Sequence, residues 1–202
     1  MMKAISFIIN PLLMPTTMFA VIFYFAPEAA NPINMDQAPY MLLIVALTTI
    51  LLPVISLSTL RFTSTITSFW LEDRRERILP FFFMAAFYAT TAYMFITRIK
   101  VNGFLSVILI TMTLMVLVIT IITFYYKISV HSTALSGLVG FIIGLMIKLP
   151  SSQLLYPLVG SIMLTGTVMT ARLALNAHTP LQILTGALLG LIMGVSSIIL
   201  FV

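Results

Sequence analysis

Residues 104–126 read FLSVILITMTLMVLVITIITFYY, and no charged side chain stands between Lys100 and Lys127. A hydrocarbon core takes roughly 20 helical residues to cross, so this stretch is long enough on its own. Lipid offers no partner for a bare peptide group, which leaves helices or closed barrels as spanning structures. A barrel strand would alternate apolar and polar residues. Here the apolar run is continuous, and a helix is the reading.

The rest of the chain agrees. Of its 202 residues 61% are hydrophobic and 7% charged, and the mean hydropathy is +1.17. A soluble domain carries roughly 25% charged residues. The predicted fold is all-α: a single polytopic transmembrane helix bundle over 1–202 with six to seven spans, near 4–25, 40–60, 79–97, 103–126, 133–149, 153–172 and 180–201. The opening MMKAISFIIN lacks a small-residue cleavage site and reads as a retained first span. Residues 26–39 form a polar, proline-rich loop. The turns at Asn102-Gly103 and Pro150-Ser151-Ser152 are short and imply antiparallel hairpins.

The stretch RFTSTITSFWLEDRRERILP, 61–80, mixes hydroxyls, the single tryptophan and a run of charges. Trp70 and Phe69 suit the headgroup level. Residues 62–78 read as an interfacial segment with a charged cluster. Without cysteine, disulfides and thiolate metal sites are excluded. The formal charge of +5 is dispersed among membrane segments, which points away from nucleic acid and toward a phosphate or anionic lipid in the bilayer.

Counting crossings gives the first functional expectation. Three polar clusters, Glu72 to Arg77, Lys127 to His131 and Arg172 to Gln182, are separated by two hydrophobic hairpins. Each hairpin returns the chain to the face it left, so all three clusters fall on one membrane face. That face holds Lys3, Arg61, Arg74, Arg75, Arg77, Lys127 and Arg172; the other holds Arg98, Lys100 and Lys148. Once the basic residues of the clusters are set aside as ligand groups, the charge rule for orientation decides nothing.

Ionisable groups close to a membrane core are costly and are functional candidates by default. Both histidines, His131 and His178, lie on the clustered face. Lys127 and His131 are four apart and can share a helical face; a turn around Ile128 to Ser132 would add Ser129 to the same ligand. Thr179-Pro180 is a helix start, with threonine as N-cap and proline at the first position. His178 therefore precedes a helix N-terminus, where free N–H groups favour an anion. Arg74 and Arg77 are three apart, and guanidinium forks suit phosphate oxygens. The plainer readings are a solvated helix end, a simple restart of the last span and an internally paired charge run.

Together these segments resemble the type 2 phosphatidic acid phosphatase family, the membrane relatives of vanadium haloperoxidases, over roughly residues 72–190. Arg172, five residues and His178 reproduce the arginine-to-histidine spacing of the third family motif, and Thr179-Pro180 through Gly190 is similar to the family's last helix. Ile128-Ser129-Val130-His131 keeps the serine and histidine of the second motif and lacks its proline and glycine. In the first motif Leu79 precedes Pro80 where arginine is expected and Glu72 occupies the lysine position, with Arg74 and Arg77 as substitutes.

The resemblance implies a lipid-phosphate phosphatase with no metal or other cofactor, a lipid phosphate as substrate, and a site on the extracytoplasmic face of a bacterial inner membrane. It implies that His178 attacks phosphorus, that His131 protonates the leaving alkoxide and then activates water, and that Arg172, Ser129, Arg74, Arg77 and Lys127 hold phosphoryl oxygens. Gln182 stands where the family has an aspartate that orients the nucleophile. Loss of that charge cost a serine protease about 10⁴ in turnover. Of the carboxylates on the clustered face, Glu76 is the one expected to supply it. Two alternatives stand beside this reading: a lipid-binding or transport-related protein that keeps the scaffold without turnover, and an intramembrane serine protease using Ser136 with His178. Neither oligomeric state nor the identity of the lipid is legible.

Overall fold

The computed structural model describes residues 9–202 except Trp70, Glu72 and Ser151. The described residues form seven long helices, a short 3-10 turn at Pro27–Ala30 and no strands: α1 Pro11–Phe25, α2 Met35–Phe62, α3 Arg75–Ile99, α4 Gly103–Thr123, α5 Val130–Lys148, α6 Leu155–Ala174 and α7 Pro180–Phe201. The last six have 19 to 28 residues; at 1.5 Å per residue they are about 29 to 42 Å long, enough to span. The first is shorter. The predicted span 4–25 begins in residues outside those described, and the helix itself starts at Pro11, where Asn10 accepts the Leu12 N–H at 3.0 Å.

Helix starts follow side-chain caps. Asn102 accepts the Leu105 N–H at 3.1 Å ahead of α4. Ser129 caps α5. Thr179 and Gln182 form a reciprocal capping box on α7, with Pro180 at the first position. Threonines inside the spans return their hydroxyls to the preceding turn, as Thr113 to the Leu109 carbonyl at 2.9 Å and Thr120 to that of Val116 at 2.7 Å. No polar atom of those groups then faces lipid without a partner.

Within 62–78, read as an interfacial segment, the described residues divide between the end of one helix, a non-helical stretch and the start of the next. Helix α2 runs on to Phe62, the described residues between 63 and 74 are not helical, and Arg75, Glu76 and Arg77 form the first turn of α3. The headgroup assignment of Trp70 falls on a residue outside those described. The turn expected around Ile128 to Ser132 is also absent. Helix α5 already starts at Val130, so His131 is helical and Ser129 is committed to the cap.

Helix α5 sits at the centre and α7 packs along it. Gly186, Gly190 and Gly194 of α7 recur at spacing four and face Ser129, Thr133 and Gly137 of α5. A Cβ on Gly190 would run into the Thr133 carbonyl oxygen, and one on Gly194 would lie 2.6 Å from that of Gly137. In lipid, where burying apolar surface gives no drive, close backbone approach of this kind is what associates helices. At the far end of the bundle Phe19 of α1 packs edge-on against Phe23 and against Phe95 of α3, ring centres 5.8 and 5.4 Å apart. The fold is that of a polytopic helical membrane protein.

Candidate functional site

The ends of helices that meet at one end of the bundle enclose a cavity of about 510 Å³. Its polar lining includes Arg77 from α3, His131 from α5, Arg172 from α6 and His178 from the α6–α7 turn, with Asn10 and Ser58. Leu12, Val54, Leu57, Phe69, Leu71, Phe81 and Met84 supply an apolar wall on the side of α1, α2 and α3.

Two local structures bring the histidines here. Helix α6 ends in a left-handed Asn176, φ 50°. The Ala177 N–H reaches back to the Arg172 carbonyl at 3.2 Å, and the Asn176 N–H to that of Leu173 at 2.9 Å. This paired C-terminal motif satisfies carbonyls that the helix leaves open. It also reverses the chain within a few residues, so that Arg172 and His178 face the same space. The second structure is the junction of α5 and α7. The Ser129 N–H donates to the Gln182 carbonyl at 3.3 Å, and Gly186 lets the Ser129 carbonyl approach its Cα. His131, one residue into α5, and His178, two before α7, are carried in on that joint.

The His178 ring is buried and its Nδ1 lies 3.1 Å from Gln182 Oε1. The same oxygen accepts the Thr179 N–H at 3.2 Å. An atom that accepts from an amide N–H is the carbonyl oxygen of glutamine, so Nδ1 carries the ring proton and Nε2 the lone pair. Burial pushes His178 down to about 4, and Arg172 and Arg77 add to the fall, while the Gln182 bond opposes it. The ring is neutral at pH 7, with Nε2 available as base or nucleophile.

The cations are concentrated. Arg77 is buried, and it and Arg172 are near enough to repel each other and to act on His178, as does Lys127. The Asp73 carboxylate acts on Arg77 in the opposite sense. Like charges held together away from water are costly unless an anion joins them. Four helices, α1, α3, α5 and α7, begin at this end, and their N-termini add to the same sign.

Other candidates lie elsewhere. Ser129 is fully buried; its hydroxyl oxygen accepts from the Ser132 hydroxyl at 2.9 Å and caps α5, and it is not on the cavity wall. Arg74 and Lys127 are half-buried and do not line the cavity. The Glu76 carboxylate, expected beside a histidine, instead accepts the Thr67 N–H at 3.1 Å and the Thr67 hydroxyl at 3.2 Å. Glu72 lies outside the described residues. Ser136 is buried in α5, nearly two turns beyond Val130, and is not among the residues that line the cavity holding His178. Sequence reasoning missed the contribution of α1 and α2, although Asn10-Pro11 carries the same cap-and-proline signal as Thr179-Pro180. It also missed the glycine spacing at 186, 190 and 194, which was open to view.

Compared with protein-family models, curated proteins and solved structures, the chain gives no match in any of the three. The fold and the cavity define a class, helical integral membrane proteins with a cationic, histidine-bearing cavity at one end of the bundle.

Proposed function

We propose that this protein is a lipid-phosphate phosphatase that works through a phosphohistidine. The observation that carries the reading is the pair of mutually repelling guanidiniums, Arg77 and Arg172, set with a neutral His178 in a cavity whose other wall is apolar. A phosphate ester of a lipid answers both halves: its oxygens join the two cations and its chain meets the apolar wall.

In the proposed reaction His178 Nε2 attacks phosphorus and the bond to the lipid oxygen breaks. His131 gives its proton to the departing alkoxide. It then takes a proton from water, whose oxygen attacks the phosphohistidine, and Nε2 leaves with its lone pair restored. Arg77 and Arg172 hold the phosphoryl oxygens throughout. Positioning and charge stabilisation of this kind account for most of the catalysis of phosphoryl transfer. The resemblance to type 2 phosphatidic acid phosphatases supports the same assignment and a site on the extracytoplasmic face of a bacterial inner membrane. The test is phosphate release from phosphatidic acid, phosphatidylglycerophosphate and polyprenyl pyrophosphate by purified protein, His178→Ala and His131→Ala. Release by the wild type alone is expected; equal release by all three overturns the reading.

One observation favours a second reading, a lipid-anion-binding protein without turnover. The partner of His178 Nδ1 is a neutral amide, and among the described residues the charges acting on this ring are those of Arg172, Arg77 and Lys127. Binding of the same lipids with no release by any of the three proteins would select it.

A further inference from the structure

We infer that Glu76 is a positioning residue that aims the Arg77 guanidinium through the loop joining α2 to α3. The inference rests on the proposed function only for the identity of the anion that Arg77 meets.

Arginine has a long, mobile side chain, and holding it in one place takes a fixed partner. For Arg77 that partner is a backbone carbonyl: Nε donates to the Leu71 oxygen at 2.7 Å. With Nε engaged there, the two terminal nitrogens are the donors left to form a fork on an anion. The aim of the fork thus depends on where Leu71 is held. Leu71 sits at φ 48°, a left-handed conformation that a leucine does not adopt without outside restraint.

Locally the Leu71 N–H donates to the Ser68 carbonyl at 3.2 Å, and the restraint that ties this turn to α3 comes from Glu76. Its carboxylate takes both donors of Thr67, N–H at 3.1 Å and hydroxyl at 3.2 Å, across nine positions of sequence. This ties the loop into a ring closed at the base of α3. Phe69 and Leu71 both lie inside the ring, and both line the cavity that holds Arg77. Glu76 and Arg77 are adjacent in the chain yet serve opposite ends of one device. The acid fixes the loop, the loop presents the Leu71 carbonyl, and the carbonyl orients the base. With its carboxylate taken by Thr67, Glu76 is not among the residues that line the cavity.

The test has one arm that needs no ligand. Phenylglyoxal modifies accessible guanidiniums, and mass spectrometry of the peptide that carries both compares Arg77 with the exposed Arg75 in the same molecule. In the wild type Arg77 is expected to react at least about tenfold more slowly, as a buried and hydrogen-bonded group. Glu76→Ala should bring the two rates to within about threefold, and Glu76→Gln and Thr67→Val, which each keep part of the tether, should fall between. An Arg77 rate unchanged in Glu76→Ala overturns the inference.

The second arm measures the dissociation constant of inorganic phosphate for Glu76→Ala, Arg77→Ala and the double variant. If Glu76 acts through Arg77, each single change weakens binding about tenfold and the double variant is no weaker than Arg77→Ala alone. Losses that multiply in the double variant overturn the inference. A wild type that takes no phosphate while its Arg77 still responds to Glu76→Ala removes the anion reading and leaves the positioning role standing.

Discussion

The Ser129 N–H at the start of α5 donates to the Gln182 carbonyl in the first turn of α7 at 3.3 Å, and this one bond marks where the two histidine-bearing segments are joined. Gln182 works in three ways there. Its carbonyl receives Ser129, its side-chain oxygen receives the Thr179 N–H, and the same oxygen holds His178 Nδ1. Several predictions about the site turn on this residue and on the helix contact beneath it.

Gln182→Glu is the most informative change. Glutamate has the same length and suits the third position of a capping box, so the Thr179 bond is kept while a charge is added beside Nδ1. An opposite charge within about 4 to 6 Å favours the protonated imidazole. The expected outcome is a rise of the His178 pKa from about 4 and, if the ring is the nucleophile, faster phosphate release. Gln182→Ala should lose both the cap and the tautomer. Histidine NMR titration and a release assay check the pair.

The position of His178 on the pH axis gives a second test. Its folded-state pKa is depressed to about 4, below the ordinary 6.5. The unfolded chain therefore binds the extra proton first as pH falls. Stability from the buried neutral ring is present above about pH 6.5 and drains away between about 6.5 and 4. His178→Gln should flatten the stability profile in that window, measured by thermal unfolding in detergent. The acid limb of kcat/KM, which reports the free enzyme, should lie near the lower value.

Arg172→Ala removes one of the three cations that lower His178, the strongest of them, and one half of the anion clamp. The His178 pKa should rise, and phosphate affinity should fall by about 10- to 100-fold, the range for a hydrogen bond to a charged group. Arg172→Lys keeps the charge without the fork and should restore the low histidine pKa better than it restores affinity. The contrast is read by NMR titration beside equilibrium binding.

The α5–α7 contact makes a prediction about stability alone. Gly190→Ala places a methyl against the Thr133 carbonyl and should cost about 1 to 3 kcal/mol as overpacking, seen as a lower Tm. Gly160→Ala on α6 has nothing within 4 Å of the new methyl and should be neutral or stabilising by about 0.5 to 1 kcal/mol through helix propensity.

The amino-acid sequence by itself determined that this is a bundle of membrane-spanning helices, because in lipid each backbone polar group must be satisfied within its own segment. A continuous apolar run such as 104–126 leaves few other solutions. Crossing arithmetic also placed His131, His178, Arg77 and Arg172 toward one end, since a hairpin returns the chain to its starting face whatever its packing. Which of the polar groups at that end share a cavity was decided only by the tertiary structure. Arg74 and Arg77 look alike in sequence, yet their separation depends on where α3 starts and which way its first turn faces. Ser129 reads as a ligand and serves as a cap because α5 begins one residue later. Glu76 reads as a partner for histidine and is taken by Thr67, because the loop from α2 folds back on it. Spacing along a chain governs local geometry; the sharing of one small space by side chains remote in sequence depends on how closely the helices approach, and here that is set by the glycines between α5 and α7.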